Sequence, residues 1–239
     1  MEKFPRLPLI LFIIALVTLA GSSARAKAVQ SGPPSGAAAA PVQFRIPNAP
    51  IPMRVLVQGP TDTDTELQVI CLFKSDPAIP LRGALSEMNE KLKGLLDRVR
   101  KPGLFRGDLG ETLLITPAAG TIPAKKLLIV GVGELETFSP ERMEVAGSIV
   151  FREANRLGVA HPFFSPTLVD GGMTKYTTGQ VSEEVVLGFL RAATTEKIIQ
   201  DANGSSGIIV QDLTYLAGAK FASSSEEGIE KAIAANAGK

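Results

Sequence analysis

Phe105-Arg-Gly-Asp-Leu-Gly-Glu-Thr-Leu-Leu-Ile-Thr-Pro117, Lys125-Lys-Leu-Leu-Ile-Val-Gly-Val-Gly-Glu134 and Phe138-Ser-Pro-Glu-Arg-Met-Glu-Val-Ala146 belong to one stretch of the chain. Gly107-Asp108 reads as a turn, Glu111 to Thr116 as a short strand, and Leu127 to Val130 as an apolar strand that runs into a glycine-rich turn. Ser139 is then placed as an N-cap and Pro140 at the first helical position, where its missing N–H costs nothing. Strand, turn, strand and helix follow one another within this short span, so the class is already α/β.

Upstream, Met53 to Val57 and Leu67 to Phe73 read as strands joined by a Gly59-Pro60 turn cluster. Leu81, Leu85, Met88, Leu92, Leu95, Leu96 and Val99 recur at three- and four-residue intervals, which predicts one long amphipathic helix ending near Pro102-Gly103. Its charged residues Glu87, Glu90, Lys91, Lys93, Asp97 and Arg98 fill the opposite, solvated face. Downstream, the helix from Pro140 to Leu157 turns Met143, Ala146, Ile149, Val150 and Ala154 inward. A strand is expected over Val159 to Phe164, with Pro162 marking an edge or an end. Ser182 is read as the cap of a helix that buries Val185, Val186, Phe189 and Leu190, and a last strand from Ile208 to Leu213 precedes a closing helix from Ser224 to Gly238. Alternation of this kind predicts a three-layer α/β/α architecture.

Lys3 and Arg6 precede an apolar run from Leu9 to Ala20, followed by Ala24-Arg25-Ala26. A basic start, a short apolar core and a small-x-small site predict a signal peptide over residues 1–26, with Lys27 as the new N-terminus. The apolar run falls short of the ~20 residues that span a bilayer, so the expectation is export to the periplasm or medium, with membrane contact only during export. Residues 27–48, rich in Pro, Gly and Ala, read as a tether, and 49–239 as one domain. The full chain carries a net charge of +1. Losing Lys3, Arg6, Arg25 and Glu2 with the leader keeps it near neutral, and neither a basic stripe nor any tryptophan is present. Nucleic acid is therefore not an expected partner.

The chain has one histidine and one cysteine. His161, followed by proline and with no Gly-x-Ser-x-Gly turn in the sequence, is read as structural rather than catalytic. Cys71 in Val-Ile-Cys-Leu-Phe is read as a packed thiol, and a lone cysteine excludes an internal disulfide. Gly131-Val132-Gly133 follows a strand, but no helix begins at the glycines and the third glycine of a dinucleotide fingerprint is absent, so a structural turn is expected. Asn203-Gly-Ser205 matches a glycosylation sequon that the export signal does not favour. The pairs Glu183-Glu184 and Glu226-Glu227 are assigned to helix starts, where they face the positive end of the dipole. These readings leave no catalytic residue, no metal ligand set and no cofactor.

The Gly-x-x-Gly-x-Thr-Leu-Leu strand at 107–114, the Leu-Leu-Ile-Val-Gly-Val-Gly strand and turn, and the closing helix resemble the N-terminal domain of the leucyl aminopeptidase family of dinuclear metallopeptidases. That resemblance implies a mixed central sheet of macro-domain type. It also implies a domain without chemistry of its own, since the family's Asn-Thr-Asp-Ala-Glu-Gly-Arg motif and metal-binding lysine and aspartate segments are missing here. The expected protein is thus an accessory or assembly module and not a peptidase, with another copy of itself or a separately encoded aminopeptidase catalytic chain as partner. Macro domains hold ADP-ribose with a glycine-rich loop, and by that likeness Asp170, Gly171 and Gly172 become a candidate ligand loop. A small-molecule binder of that type is the alternative, and a piece of a full aminopeptidase is the third.

Overall fold

Gln68–Leu72 is buried along its whole length, and a strand covered on both faces belongs inside a parallel sheet. The computed structural model describes residues 42–76, 79–204 and 207–237 and places this strand, β3, there. With β1 (Gln43–Ile46), β2 (Met53–Val57), β4 (Thr112–Ile115), β5 (Leu127–Gly131), β6 (Phe163–Ser165) and β7 (Leu213–Ala217) it forms a seven-stranded mixed sheet of order β1-β2-β7-β6-β3-β5-β4. Interior neighbours run parallel. The edge strands β1 and β4 pair antiparallel.

Successive side chains of a strand point to opposite faces, and each face has its own core. Val69, Cys71, Leu128 and Val130 pack with α3 (Met143–Arg156), α4 (Thr178–Asp201) and α5 (Ala222–Ala237). Ile70, Leu72, Leu127 and Ile129 pack with α1 (Gly83–Lys91) and α2 (Leu95–Arg100). The expected three layers are present. The helices of the first layer touch through small residues: a Cβ on Gly147 of α3 would fall 1.9 Å from the Val185 carbonyl oxygen of α4, and one on Gly188 of α4 would fall 2.0 Å from that of Glu144. A Cβ on Gly228 of α5 would likewise fall 2.1 Å from the Gly179 carbonyl oxygen of α4.

Several boundaries differ from expectation. β1 lies inside the stretch assigned to the tether, where Gln43 to Ile46 pair with Leu56 to Met53, so the folded part begins before residue 49. The stretch expected to be a signal peptide and the rest of the expected tether up to residue 41 lie outside the described residues, as do Ser205 of the sequon and Gly238 of the closing helix. The long helix is two helices, because Lys93 and Gly94 take φ of +55° and +76° and a left-handed pair ends an α-helix. Leu85, Met88, Leu92 and Leu96 still share one core across the break, which is why their spacing reads as continuous.

The strand expected over Val159 to Phe164 starts only at Phe163, after Pro162, whose carbonyl accepts from the Thr214 N–H at 3.1 Å. The last strand is Leu213–Ala217, not Ile208 to Leu213: the later run is the one that pairs with both β2 and β6. Ile209 remains exposed. Thr177, rather than Ser182, caps α4 through a capping box, accepting from the Gln180 N–H at 3.2 Å while the Gln180 side chain accepts from the Thr177 N–H at 3.0 Å. Ser182 is buried and donates to the Ser225 carbonyl of α5 at 2.8 Å. Ser139 makes no side-chain cap bond, and a 3-10 turn over Pro140–Arg142 precedes α3.

The acidic pairs do not open helices. Neither α4 nor α5 carries an acidic residue in its first turn, so dipole compensation does not explain them. Ile229, Ala232 and Ile233 of α5 are buried in the core against α4 and the sheet. The closing helix therefore folds back on its own domain.

Candidate functional site

Ligands of open parallel sheets bind beyond the carboxyl ends of the strands, where the strand order reverses. Here the neighbours of β3 are β5 on one side and β6 on the other, which puts the switch point between β3 and β6 and makes the loops after those strands the place to look. Thr167, with φ of +50°, ties them together. Its hydroxyl accepts from the Cys71 N–H at 3.1 Å and donates to the Cys71 carbonyl at 2.6 Å. The Cys71 thiol itself is buried, and burial pushes its pKa up, as befits a packed rather than a reactive cysteine.

Asp170, Gly171 and Gly172 lie in the loop between β6 and α4, at that crevice. The Asp170 carboxylate accepts from the Ala84 backbone N–H at the start of α1. It packs so closely on Gly83 that a Cβ there would fall 2.1 Å from Oδ1. Burial raises the Asp170 pKa, opposed by the Ala84 bond and by Lys220. The N–H groups of Gly171, Gly172 and Met173 donate back to the carbonyls of Thr167, Val169 and Leu168 at 3.1, 3.1 and 2.9 Å. Gly171 rests on the Phe73 ring. The loop's donors are thus turned inward, and its carboxylate covers the helix N-terminus that would otherwise attract an anion.

Beside this loop a cavity of about 220 Å³ opens between Phe73, Ile79, Leu81, Leu85, Leu135 and Arg100. It continues into a wider groove of about 700 Å³ bordered by Asn89, Lys101 and Arg106. Arg100, at 9% exposure, is the buried cation of the site. Its Nη2 donates to the Phe73 carbonyl at 3.5 Å, and its Nε is buried without a partner. Burial lowers its pKa, against the pull of Asp97. Reading the sequence missed this residue, although Leu96 faces inward and Arg100 is its i+4 neighbour on the same stripe.

The other singled-out residues lie elsewhere. His161 Nδ1 meets Asp212 Oδ2 at 2.7 Å, joining the segments that lead into β6 and β7 at the far end of the strands. Gly131-Val132-Gly133 is where two backbones meet: a Cβ on Gly131 would fall 2.2 Å from the Asp108 carbonyl oxygen, and the Gly133 N–H donates to Gly107 at 2.9 Å. The Glu111 carboxylate fixes that turn by accepting from the N–H groups of Arg106, Gly107 and Asp108. Among the described residues no group of three His, Cys, Asp or Glu could hold a metal ion.

Glu184 of α4 faces Glu144 of α3, and Arg191 pairs with Glu144. Desolvation first, then the hydrogen bond to Glu144 and the charges around it, raise the Glu184 pKa from its ordinary 4.5 to about 7. A carboxyl raised on folding stabilises the protein fully below its unfolded value, and that stability is lost as pH rises through the folded value. The melting temperature is accordingly expected to fall between about pH 4.5 and pH 7, and Glu184→Gln should flatten that slope. An unaltered pH profile in the variant would show that the pair is not coupled to folding.

A protein-family model described as the cytosol aminopeptidase family, N-terminal domain, matches residues 69–192. A probable cytosol aminopeptidase of Thermosynechococcus vestitus is 31% identical over 106 residues, covering 42% of this chain. The chain spans only 21% of that relative's length. Among solved structures, a mutant of tomato leucine aminopeptidase superposes with a TM-score of 0.57 at 16% identity, over 77% of this chain and 36% of that one. The Oceanobacillus iheyensis macrodomain with ADP gives 0.51 at 13% identity, over 82% and 98%. These likenesses establish the macro-like fold, and the match across 69–192 establishes that the chain belongs to the cytosol aminopeptidase family through its N-terminal domain.

Proposed function

We propose that this protein is an exported, non-catalytic accessory domain that works by protein assembly, with a second copy or a separately encoded aminopeptidase catalytic chain as partner. The observation that carries this reading is the match to the N-terminal domain of the family over 69–192. Dinuclear hydrolysis needs several carboxylates gathered on metals ~4 Å apart, and the described residues bring no such set together. Export rests on the basic start, apolar run and Ala-Arg-Ala site read from residues 1–26.

Assembly through the apolar face of α5 is not available, since Ile229 and Ile233 are buried at home. Apolar side chains left exposed elsewhere serve better. Leu109 and Val145 are 46% and 38% exposed; Val145 lies 3.6 Å from where a Cβ on Gly110 would stand, Leu109 precedes that glycine, and Leu114 of the edge strand β4 is also exposed. An unpaired strand edge flanked by apolar groups is a natural contact for another chain.

Purified protein supplied with Zn²⁺ or Mn²⁺ is expected to leave a leucine chromogenic amide unhydrolysed. Chelator-sensitive turnover above the blank would refute the non-catalytic reading. Light scattering is expected to show an oligomer that Leu109→Glu with Val145→Glu dissolves at unchanged melting temperature. A monomer that also fails to bind the catalytic chain would remove the assembly role.

A small-molecule role is favoured by the fold's likeness to a macrodomain that holds ADP. Against it stands the Asp170 to Met173 loop, whose N–H groups are spent internally and whose carboxylate would oppose a diphosphate. Calorimetry with ADP-ribose is the direct comparison, and no heat of binding is expected.

A further inference from the structure

We propose that the crevice lined by Phe73, Leu81, Leu85, Arg100 and Leu135 binds a small carboxylate with an apolar tail, the carboxylate on Arg100 and the tail among Leu81, Leu85 and Leu135. This goes beyond the accessory role and does not depend on it. The first support is the unmet hydrogen-bonding capacity of Arg100. A guanidinium offers five N–H donors in a planar fork that matches a carboxylate, and one left buried and unpaired is costly. Here Nε has no partner, and Nη2 reaches only the Phe73 carbonyl at the 3.5 Å limit of a hydrogen bond.

The surrounding charges sharpen the point. Lys74 is held by Asp108 and Glu134, Lys101 by Asp97, and Arg106 by Asp108. Among the described residues, no ion pair joins Arg100 to a carboxylate. The cations at the rim have ion pairs; the one in the wall has none and feels Asp97 only at longer range. A ligand in the inner cavity therefore meets Arg100 as the cation that forms no ion pair, with Asp76 and Glu136 among the acidic residues of the lining. A monoanion sets less charge against those carboxylates than a phosphate dianion does.

Shape supplies the rest. The inner cavity of about 220 Å³ is walled mainly by apolar side chains, so a compact hydrocarbon tail can replace water there at a gain. Apolar walls with a few polar groups are the usual make-up of a small-ligand site, and Arg100 is the buried charged group of this one. The Asp170 loop contributes only the edge formed by Gly171, which separates this crevice from a macrodomain-style diphosphate site built on loop N–H groups.

The test is a titration of the ¹⁵N-labelled full-length protein with hexanoate, hexanamide and inorganic phosphate at millimolar concentrations. It is followed by the Arg100 Nε–H resonance, assigned by its loss in Arg100→Lys, and by the melting temperature. Hexanoate is expected to move the resonance saturably and to raise the melting temperature, while the other two do neither. Arg100→Leu is expected to weaken hexanoate binding by at least about tenfold, the loss of one charge-assisted pair. Equal responses to hexanamide would mean an apolar pocket without anion recognition, and equal responses to phosphate would mean charge alone. Either result, or no saturable shift with hexanoate, overturns the assignment even if Arg100→Leu fails to fold.

Discussion

Gly188→Ala is expected to destabilise the protein by about 3 kcal/mol or more, at the upper end of what overpacking costs. Nothing about the new methyl group is unfavourable in itself, since alanine is the better helix former. The cost is geometric: its Cβ would lie 2.0 Å from the Glu144 carbonyl oxygen of α3, well inside van der Waals contact. The obstacle is backbone, not the tip of a side chain, so α3 and α4 must move apart. That opens the buried contacts of Phe151 on Phe189, whose rings meet edge to face at 5.2 Å. Gly147→Ala should do the same from the other side, where its Cβ would sit 1.9 Å from the Val185 carbonyl. Thermal or urea unfolding measures both, and a variant that gained the stability expected from helix propensity alone would show that the two helices are not in this contact.

Ile229→Asp is expected to have a still larger effect, about 4 kcal/mol or more, enough to leave many domains unfolded at room temperature. Ile229 is 0% exposed between α4 and the sheet. The substitution removes a buried branched side chain and puts in its place a carboxyl with no hydrogen-bonding group arranged for it. Ile233→Asp, at the partly open end of the same stripe, should cost less. What distinguishes the packing seen here from an intermolecular role for α5 is the form of the failure. A core position gives a monomer that melts early, whereas an interface position gives a stable monomer from a former oligomer. Circular dichroism and light scattering on the same sample separate the two.

Part of this outcome is legible in local sequence. The Phe105 to Ala146 stretch yields β4, β5 and the helix after them nearly to the residue, because each strand is short, apolar and bounded by glycine or proline. The structural roles of Cys71 and the Gly131 to Gly133 turn follow for the same reason, since a residue type in a strongly patterned setting has few places to go. The capping box of α4 was also available in Thr177-x-x-Gln180, but Ser182 is an equally good capping residue by type. Only the burial of Ser182 against Ser225 of α5 decides between them.

Other features depend on contacts between residues far apart in the chain. Whether Ile208 to Leu213 or Leu213 to Ala217 becomes the strand is settled by pairing with β2 and β6, which no local window contains. β1 is only four residues long, and Phe44 and Ile46 reach the core because β2 offers it an edge. Glu184 acquires its raised pKa from α3 and Arg100 its isolation from the loop after β3, so neither looks unusual among its sequence neighbours.

The sequence by itself determined the alternation of strands and helices apart from β1 and the break between α1 and α2, the α/β class and the family likeness, because hydrophobic period, turn residues and caps act within a few residues of one another. The tertiary structure alone decided that α5 closes its own core, that the Asp170 loop spends its donors on itself, and that Arg100 is buried with its Nε unpartnered. Each of those outcomes is a competition between distant groups for the same partner, and such a competition is resolved only when the chain has brought them together.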